Sequence, residues 1–276
     1  MVSVSTALFD GYPMEMAVEE IADAGCLHVE PAFIKGYVDF DETAFSPSAA
    51  ARLSNLAVAR GVRIHAASAH LDLSEPDAAA ALVRRLDFAA DLGASFLITN
   101  SGPAGKRDAI RATVEAVIPK LEASGLTLAL ENPGHGSGNL TGIVSDAAIF
   151  LGEIGSPRVR LNHDTGNVFT YSSETRQPAE DLAAAPNLVA HVHLKDVKST
   201  NEGWVFCALG DGDVDLANYW SAMPVGLPVT IELPLRLGRP RRADPQRYPR
   251  PLDLATIRRE LTASLRYIGT LEAVPD

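Results

Sequence analysis

Apolar residues fall in short runs that alternate with longer amphipathic stretches along the whole chain. The short runs are SVSTALF (3–9), CLHVEPAF (26–33), VRIHAASAH (62–70), SFLITNS (95–101), LTLALEN (126–132), VRLNHD (159–164), LVAHVHLKD (188–196) and PVTIELPL (228–235). Their β-branched and aliphatic content reads as eight strands. The stretches between them carry helical spacing. In EPDAAAALVRRLDFAADLG (75–93), Leu82, Val83, Leu86, Ala89, Ala90 and Leu92 recur on one face, Asp77 follows Pro76 at the start, and Gly93 closes the end. KRDAIRATVEAVIPKLEASG (106–125) ends the same way at Gly125, and LATIRRELTASLRYIGTL forms the last helix. Eight strands alternating with helices predict an α/β fold, a (β/α)8 TIM barrel that spans residues 1–276 as a single domain. The alternative is an open doubly wound sheet, which would gather its polar strand ends near one switch point. Here they occur all along the chain, and neither GxGxxG nor GxxxxGKS/T follows the first strand.

Two segments break the alternation. One is 197–227, with Trp204, LGDGDVD and Trp220. The other is RLGRPRRADPQRYPRPLD (236–253), with six arginines and four prolines. The prolines exclude a regular helix there, and a long irregular loop is often functional.

The chemistry lies at the strand ends. Glu131, Asp164, His193 and Glu232 each close an apolar run, at intervals of 33, 29 and 39 residues. Each interval is about one strand–helix unit, roughly 30 residues. In a closed parallel barrel such ends converge on one face, where active sites form. Taken singly, a carboxylate at a strand end is ordinary. Three carboxylates and an imidazole in register would repel one another unless a cation sits between them. Oxygen-rich donors with one imidazole suit Mn²⁺, Mg²⁺ or Co²⁺ better than thiolate-type zinc. A cation there could hold the carbonyl and hydroxyl oxygens of an α-hydroxy ketone or aldehyde and stabilise the enediolate left by deprotonation. Glu131 and Glu232 come from the fifth and eighth strands, across the mouth from each other, and form the natural acid/base pair.

Further candidates surround this set. Period 2 places His191 on the same side as His193 but deeper, as a hydrogen-bonded core or supporting residue. Lys195 points the same way nearer the mouth, either solvated or holding an anionic substrate group or stabilising an enolate oxygen. His70 is the third strand's candidate for substrate contact, whereas His65 reads as structural. Glu30, in HVEP, is a candidate substrate contact, and so is Asn132, which opens NPGHGSGN with His135. His163, adjacent to Asp164, reads as structural. The arginine-rich segment is either a solvated basic face or a lid that clamps a carboxylate or phosphate, with Arg236 the best single choice.

Composition narrows the class. The net charge of −11 disfavours a general nucleic-acid binder. Two cysteines, Cys26 and Cys207, suggest free thiols in a reducing compartment. The start, MVSVSTALFDG, does not resemble a signal peptide, and no apolar run reaches about 18 residues, so neither secretion nor a membrane is expected. A cytoplasmic enzyme is expected.

LALEN, LNHDTGN, HVHLKD, LGDGDVD and TIEL, in that order, resemble the xylose-isomerase-like TIM barrels, the sugar phosphate isomerase/epimerase group. The resemblance covers nearly the whole chain. It implies that Glu131, Asp164, His193 and Glu232 bind one divalent metal, commonly Mn²⁺, with Zn²⁺ among the alternatives, and that the two glutamates serve as acid and base. It also implies a small sugar or sugar-acid substrate and an isomerase or epimerase reaction. A dehydratase-type lyase is the alternative, and a non-catalytic sugar-binding subunit a further one. Barrels of this group often associate as dimers or tetramers, so a homo-oligomer is an expectation. Three positions depart from the ketohexose 3-epimerases of the group: Ser137, Asn167 and Ser199 stand where those enzymes have glutamate, histidine and arginine. HLKDVKS and LGDGDVD also resemble the endonuclease IV branch. However, Asn100 ends the fourth strand, Asn167 replaces a histidine, and VFCALG lacks Asp-x-His, so that branch's three-zinc site is not expected.

Overall fold

The computed structural model describes residues 1–136 and 138–273. Eight parallel barrel strands occur where the apolar runs lie. The first is Val2–Ser5, the fourth Phe96–Asn100, the fifth Thr127–Glu131, the sixth Val159–Asp164, the seventh Val189–Leu194 and the eighth Val229–Ile231. The second and third are each in two pieces. Pro31 separates His28–Glu30 from Ala32–Phe33, because it has no N–H for the ladder. His65 separates Arg63–Ile64 from Ala66–Ala69. The lower pieces pair with each other and the upper pieces pair with each other, so the ring closes without a free edge. The first strand pairs with the second on one side and the eighth on the other.

Helices pack outside through apolar stripes. Leu82, Leu86, Phe88 and Ala89 are buried from Ala78–Asp91, and Ile110, Val114, Val117 and Leu121 from Arg107–Ser124. Gly125 ends the latter helix at φ 77°, in the left-handed region that favours glycine. The closing helix, Leu254–Glu272, buries Ile257, Leu261, Ile268 and Leu271.

The barrel interior is less conventional. His65, Phe96, His191 and His193 rise through it as a column, with successive ring centroids 5.2, 5.6 and 5.5 Å apart. A register irregularity at Leu161/Asn162 brings Asp164 opposite His193.

The two irregular segments meet in a second sheet. Asp196–Thr200, Gly203–Cys207, Leu237–Pro240 and Gln246–Arg247 form four antiparallel strands. The arginine- and proline-rich segment is thus partly ordered as strand, which corrects the expectation of an irregular loop. Gly203 is required there: a Cβ would lie 2.1 Å from the Arg239 carbonyl oxygen. Asp196 anchors the LGDGDVD turn, accepting from the backbone N–H groups of Gly210 and Gly212 at 2.8 and 3.0 Å.

Candidate metal centre and active site

Four side chains from four strand ends meet at the carboxyl-terminal mouth. One ligand atom from each of Glu131, Asp164, His193 and Glu232 lies within 4.8 Å of the others. His193 Nδ1 is 2.9 Å from Glu131 Oε2, 3.7 Å from Glu232 Oε2 and 3.9 Å from Asp164 Oδ2. All four residues are buried. Lys195 is buried among them, with Nζ 2.6 Å from Asp164 Oδ2 and paired with Glu232. This excludes the solvated reading of Lys195.

The tier beneath fixes these groups. Glu30 Oε1 accepts from Ser68 Oγ at 2.8 Å, and Oε2 accepts from Thr230 Oγ1 at 2.7 Å. His193 Nε2 stands 3.0 Å from Glu30 Oε1. Burial pushes the Glu30 carboxyl up, but His193, His191 and Thr230 outweigh it and hold it at about 2. Glu30 is therefore an ionised acceptor, so Nε2 carries a hydrogen and Nδ1 faces the cluster, where a cation would have to displace its proton. An imidazole ligand commonly has its far N–H held by a carboxylate in this way. His191 Nδ1 meets Asn162 Oδ1 at 2.8 Å, and Asn162 Nδ2 donates to Glu131 Oε2 at 2.7 Å. Burial drives His191 down to about 3, so it is neutral. Glu30, His191 and His193 could themselves group around an ion, yet the first two are engaged in these hydrogen bonds.

The upper tier is electrostatically frustrated. Burial pushes Asp164 up to about 7; Lys195 opposes this, and Glu131 and Glu232 add to it. Burial alone would lower His193, but the carboxylates of Glu30, Glu131 and Glu232 raise it well above its ordinary value. Asp164 Oδ2, His193 Nδ1, both Glu232 oxygens and His70 Nε2 are buried without a hydrogen-bond partner among the described residues. The Lys195 contacts to Asp164 and Glu232 are ion pairs by distance, without aligned hydrogen bonds. Native proteins rarely strand buried polar atoms. A hard divalent cation would satisfy the orphaned oxygens and Nδ1 together, so this donor set fits one. Asp164 is pre-aimed, because Oδ1 accepts from Asn167 N at 2.8 Å and leaves Oδ2 to the cluster.

A cavity of about 330 Å³ opens over the cluster, lined by Glu131, Glu232, His70, Asn100, Asn167 and Tyr37 among others. It adjoins a groove of about 760 Å³ that shares His70 and Asn100. Another cavity, about 470 Å³, lies beside Phe9, Asp10 and Phe40 and touches none of the four clustered residues. The chemistry assigns the site to the smaller one.

The remaining sequence candidates divide. His70 lines the cavity, 3.7 Å from Glu131 Oε2, and burial lowers its pKa. His135 lines it too. Glu30 is not at the cavity wall: Pro31 and the strand break leave it one tier down, under His193. Asn132 is also withdrawn. Its Oδ1 accepts from Asp164 N at 2.8 Å and its Nδ2 donates to Asp164 O at 3.1 Å, tying two strand ends together. Arg236 donates to the carbonyls of Tyr248 and Pro249 at 2.9 and 3.0 Å and stands 3.4 Å from Asp10. It is engaged in holding its own loop. His163 is buried between Tyr219 and Asp181, at 2.8 and 3.2 Å. Ser137 lies outside the described residues.

Three residues near the cluster were not singled out as contacts by sequence. Asn167 Nδ2 donates to Glu131 Oε1 at 3.1 Å, and Lys195 Nζ reaches Asn167 Oδ1 at 3.3 Å. Tyr37 follows Gly36 in a loop with no distinctive pattern. Arg239 continues the buried alternation Leu233, Leu235, Leu237, and an arginine on an apolar stripe was the available signal.

A family model described as a xylose isomerase-like TIM barrel matches residues 18–246. Among solved structures, the D-allulose 3-epimerase of Methylomonas sp. is 19% identical, covering 98% of this chain and 96% of that one, with a TM-score of 0.71. D-psicose 3-epimerase of Clostridium cellulolyticum H10 is 15% identical over 98% of both chains, with a TM-score of 0.75. The probable 3-DHS dehydratase AsbF of Bacillus anthracis is 14% identical over 97% of this chain and 98% of that one, with a TM-score of 0.71. At these identities the likeness is one of fold. No curated protein sequence matches the chain.

Proposed function

We propose, for a chain that belongs to the xylose isomerase-like TIM barrel family, a divalent-metal-dependent isomerase or epimerase acting on a small keto-sugar or keto-acid sugar. The supporting observation is the cluster itself: Glu131, Asp164, His193 and Glu232 bring buried ligand atoms together beneath a cavity of about 330 Å³, and those of Asp164, His193 and Glu232 have no hydrogen-bond partner among the described residues. These four residues would hold the ion, with Mn²⁺ the first candidate and Mg²⁺, Co²⁺ or Zn²⁺ the alternatives. When bound, the cation would polarise the substrate carbonyl and adjacent hydroxyl and so acidify the neighbouring C–H.

The residues divide the proton work. Amides of Asn162 and Asn167 hold the two Glu131 oxygens. Burial raises its pKa, but His193 and His70 outweigh this and keep it ionised. Glu131 is thus a positioned base for a carbon-bound proton. Glu232 comes from the other side of the mouth, ion-paired with Lys195 and with neither oxygen hydrogen-bonded among the described residues. Return of the proton by Glu232 from the opposite face gives epimerisation. Return by the same residue at the next carbon gives isomerisation. Lys195 offers its ammonium beside Glu232 to steady a developing enolate oxygen.

Exchange measured by proton NMR tests this reading. A panel of three- to six-carbon ketoses and keto acids is incubated in D₂O with Mn²⁺-loaded protein. Deuterium should enter the carbon beside the carbonyl, stop with EDTA and resume with Mn²⁺. Exchange that ignores EDTA, or none across the panel, would sink the proposal.

His70 favours a second reading. Its unpartnered Nε2 could protonate a departing hydroxyl, which makes the reaction a dehydration; loss of water from the substrate distinguishes it. A small-molecule rather than nucleic-acid substrate fits the size of the cavity, about 330 Å³, and the acidic chain. No helix among the described residues is long and apolar enough to cross a membrane. A cytoplasmic setting is the location we propose, on the strength of the free thiols Cys26 and Cys207.

A further inference from the structure

Arg239 is the buried exception among the arginines of 236–253, at 1% exposure. A guanidinium taken out of water normally needs a carboxylate. Arg239 makes no ion pair among the described residues. Its Nη1 donates to the Gly134 carbonyl, its Nη2 stands 3.3 Å from His135 Nδ1, and its Nε has no partner among the described residues. Tyr37 lies close enough to couple to its charge. Gly134, His135 and Tyr37 all line the cavity over the metal cluster. The wall is close-packed: a Cβ on Gly134 would lie 2.7 Å from Arg239 Nη2 and 2.4 Å from Asn167 Oδ1. Lys35 adds a second cation at the exposed rim. The rim acid Asp244 is exposed and makes no ion pair among the described residues.

We infer that Arg239, with Tyr37, His135 and Lys35, forms a subsite for a terminal oxyanion on the substrate, a carboxylate or a phosphate, at the cavity wall beside the metal cluster. The inference rests on reading this cavity as the substrate site, and it makes the substrate an acidic sugar derivative rather than a neutral ketose. Arg239 offers a preorganised charge, its guanidinium held by Gly134 and His135 with Nε left unpartnered among the described residues. A neutral hydroxymethyl end would leave that charge offset only by the carboxylates of Asp164 and Asp244, neither of which is in ion-pair contact with it.

Calorimetric titration tests the subsite with three unreactive probes on one carbon chain: D-glucitol, D-gluconate and D-glucitol 6-phosphate. Mn²⁺-loaded wild type should bind at least one anion about tenfold or more tighter than glucitol, roughly the discrimination a charge-assisted pair provides. Which anion wins identifies the end group. Arg239→Met should bring all three within about twofold, and Arg236→Met should leave the preference intact. No preference in wild type, or an undiminished one in Arg239→Met, overturns the subsite. The same titration of EDTA-treated wild type needs no variant: a preference that survives metal removal supports Arg239, and one that vanishes assigns the anion to the metal and overturns it. Absence of C–H exchange with every ketose, alongside an Arg239-dependent preference, would remove the isomerase reading and leave the subsite standing.

Discussion

The barrel holds two buried polar tiers joined through His193, each with a glutamate and an imidazole, yet they differ in how well they are satisfied. In the lower tier Glu30 meets Ser68, Thr230 and His193, while His191 and Asn162 meet each other. In the upper tier Asp164, His193 and Glu232 present atoms with no hydrogen-bond partner among the described residues. Burying polar groups is costly wherever they lie. The lower tier offsets that cost with hydrogen bonds and so acts as structure. The upper tier leaves it standing, which is what a site awaiting a ligand does. Proteins tend to break local rules of consistency at functional sites.

The difference can be tested by substitution. Glu131→Gln or Glu232→Gln removes a buried negative charge from the crowded tier. Either should cut turnover by about 10³-fold or more, in line with losing a general acid or base, while the melting temperature holds or rises. A variant of full activity, or one that unfolds, would erase the contrast between the tiers.

Glu30→Gln acts on the satisfied tier and should behave oppositely. Losing the charged acceptor for His193 should weaken Mn²⁺ binding by about 10- to 100-fold, as for other residues that orient a metal ligand. It should also lower stability by about 2 kcal/mol, the scale of a hydrogen bond to a charged group. Denaturant melts and metal titration measure both. Unchanged stability would mean that Glu30 is not the structural partner assigned here.

The smallest effect expected is a pH dependence. In the metal-free fold Asp164 titrates at about 7, above its ordinary 3.8. Its proton stabilises that fold fully below pH 3.8, and the contribution is lost as pH rises through 7. A cation must displace this proton. Mn²⁺ affinity should therefore climb by up to about tenfold per pH unit below 7 on this account, and Asp164's share should level off above it. His191 has the opposite sign: lowered to about 3 from 6.5, it contributes stability that is complete above 6.5 and lost as pH falls through 3. Melting temperatures with and without Mn²⁺ across pH 4–8 separate the two.

Much of the barrel could be read from the chain alone. All eight apolar runs contain strands, because a parallel strand buried on both faces must be apolar throughout. The four clustered residues were legible for a related reason. A polar residue that ends such a run lies at the mouth, and successive strands bring their ends to one rim. What could not be read was set by contacts distant in sequence. Arg236 and Arg239 look equivalent in a list of arginines. Only the second sheet, which aligns Trp204 with Arg239, turns Arg239 toward Gly134 while Arg236 stays with Tyr248 and Pro249. Glu30 precedes Pro31 and reads as a substrate contact, but its strand resumes at Ala32 and leaves it a tier below.

The sequence by itself determined the alternation of strand and helix, and with it the barrel and the ring of polar strand ends, because periodicity and burial are local consequences of side-chain order. Tertiary structure alone decided that Lys195 is buried among carboxylates, that Glu30 orients rather than reaches, and that Arg239 is buried against Gly134 and His135 of the cavity wall. Each of those outcomes depends on which atoms from remote segments share a few ångströms of low-dielectric space, a distance that no spacing along the chain specifies.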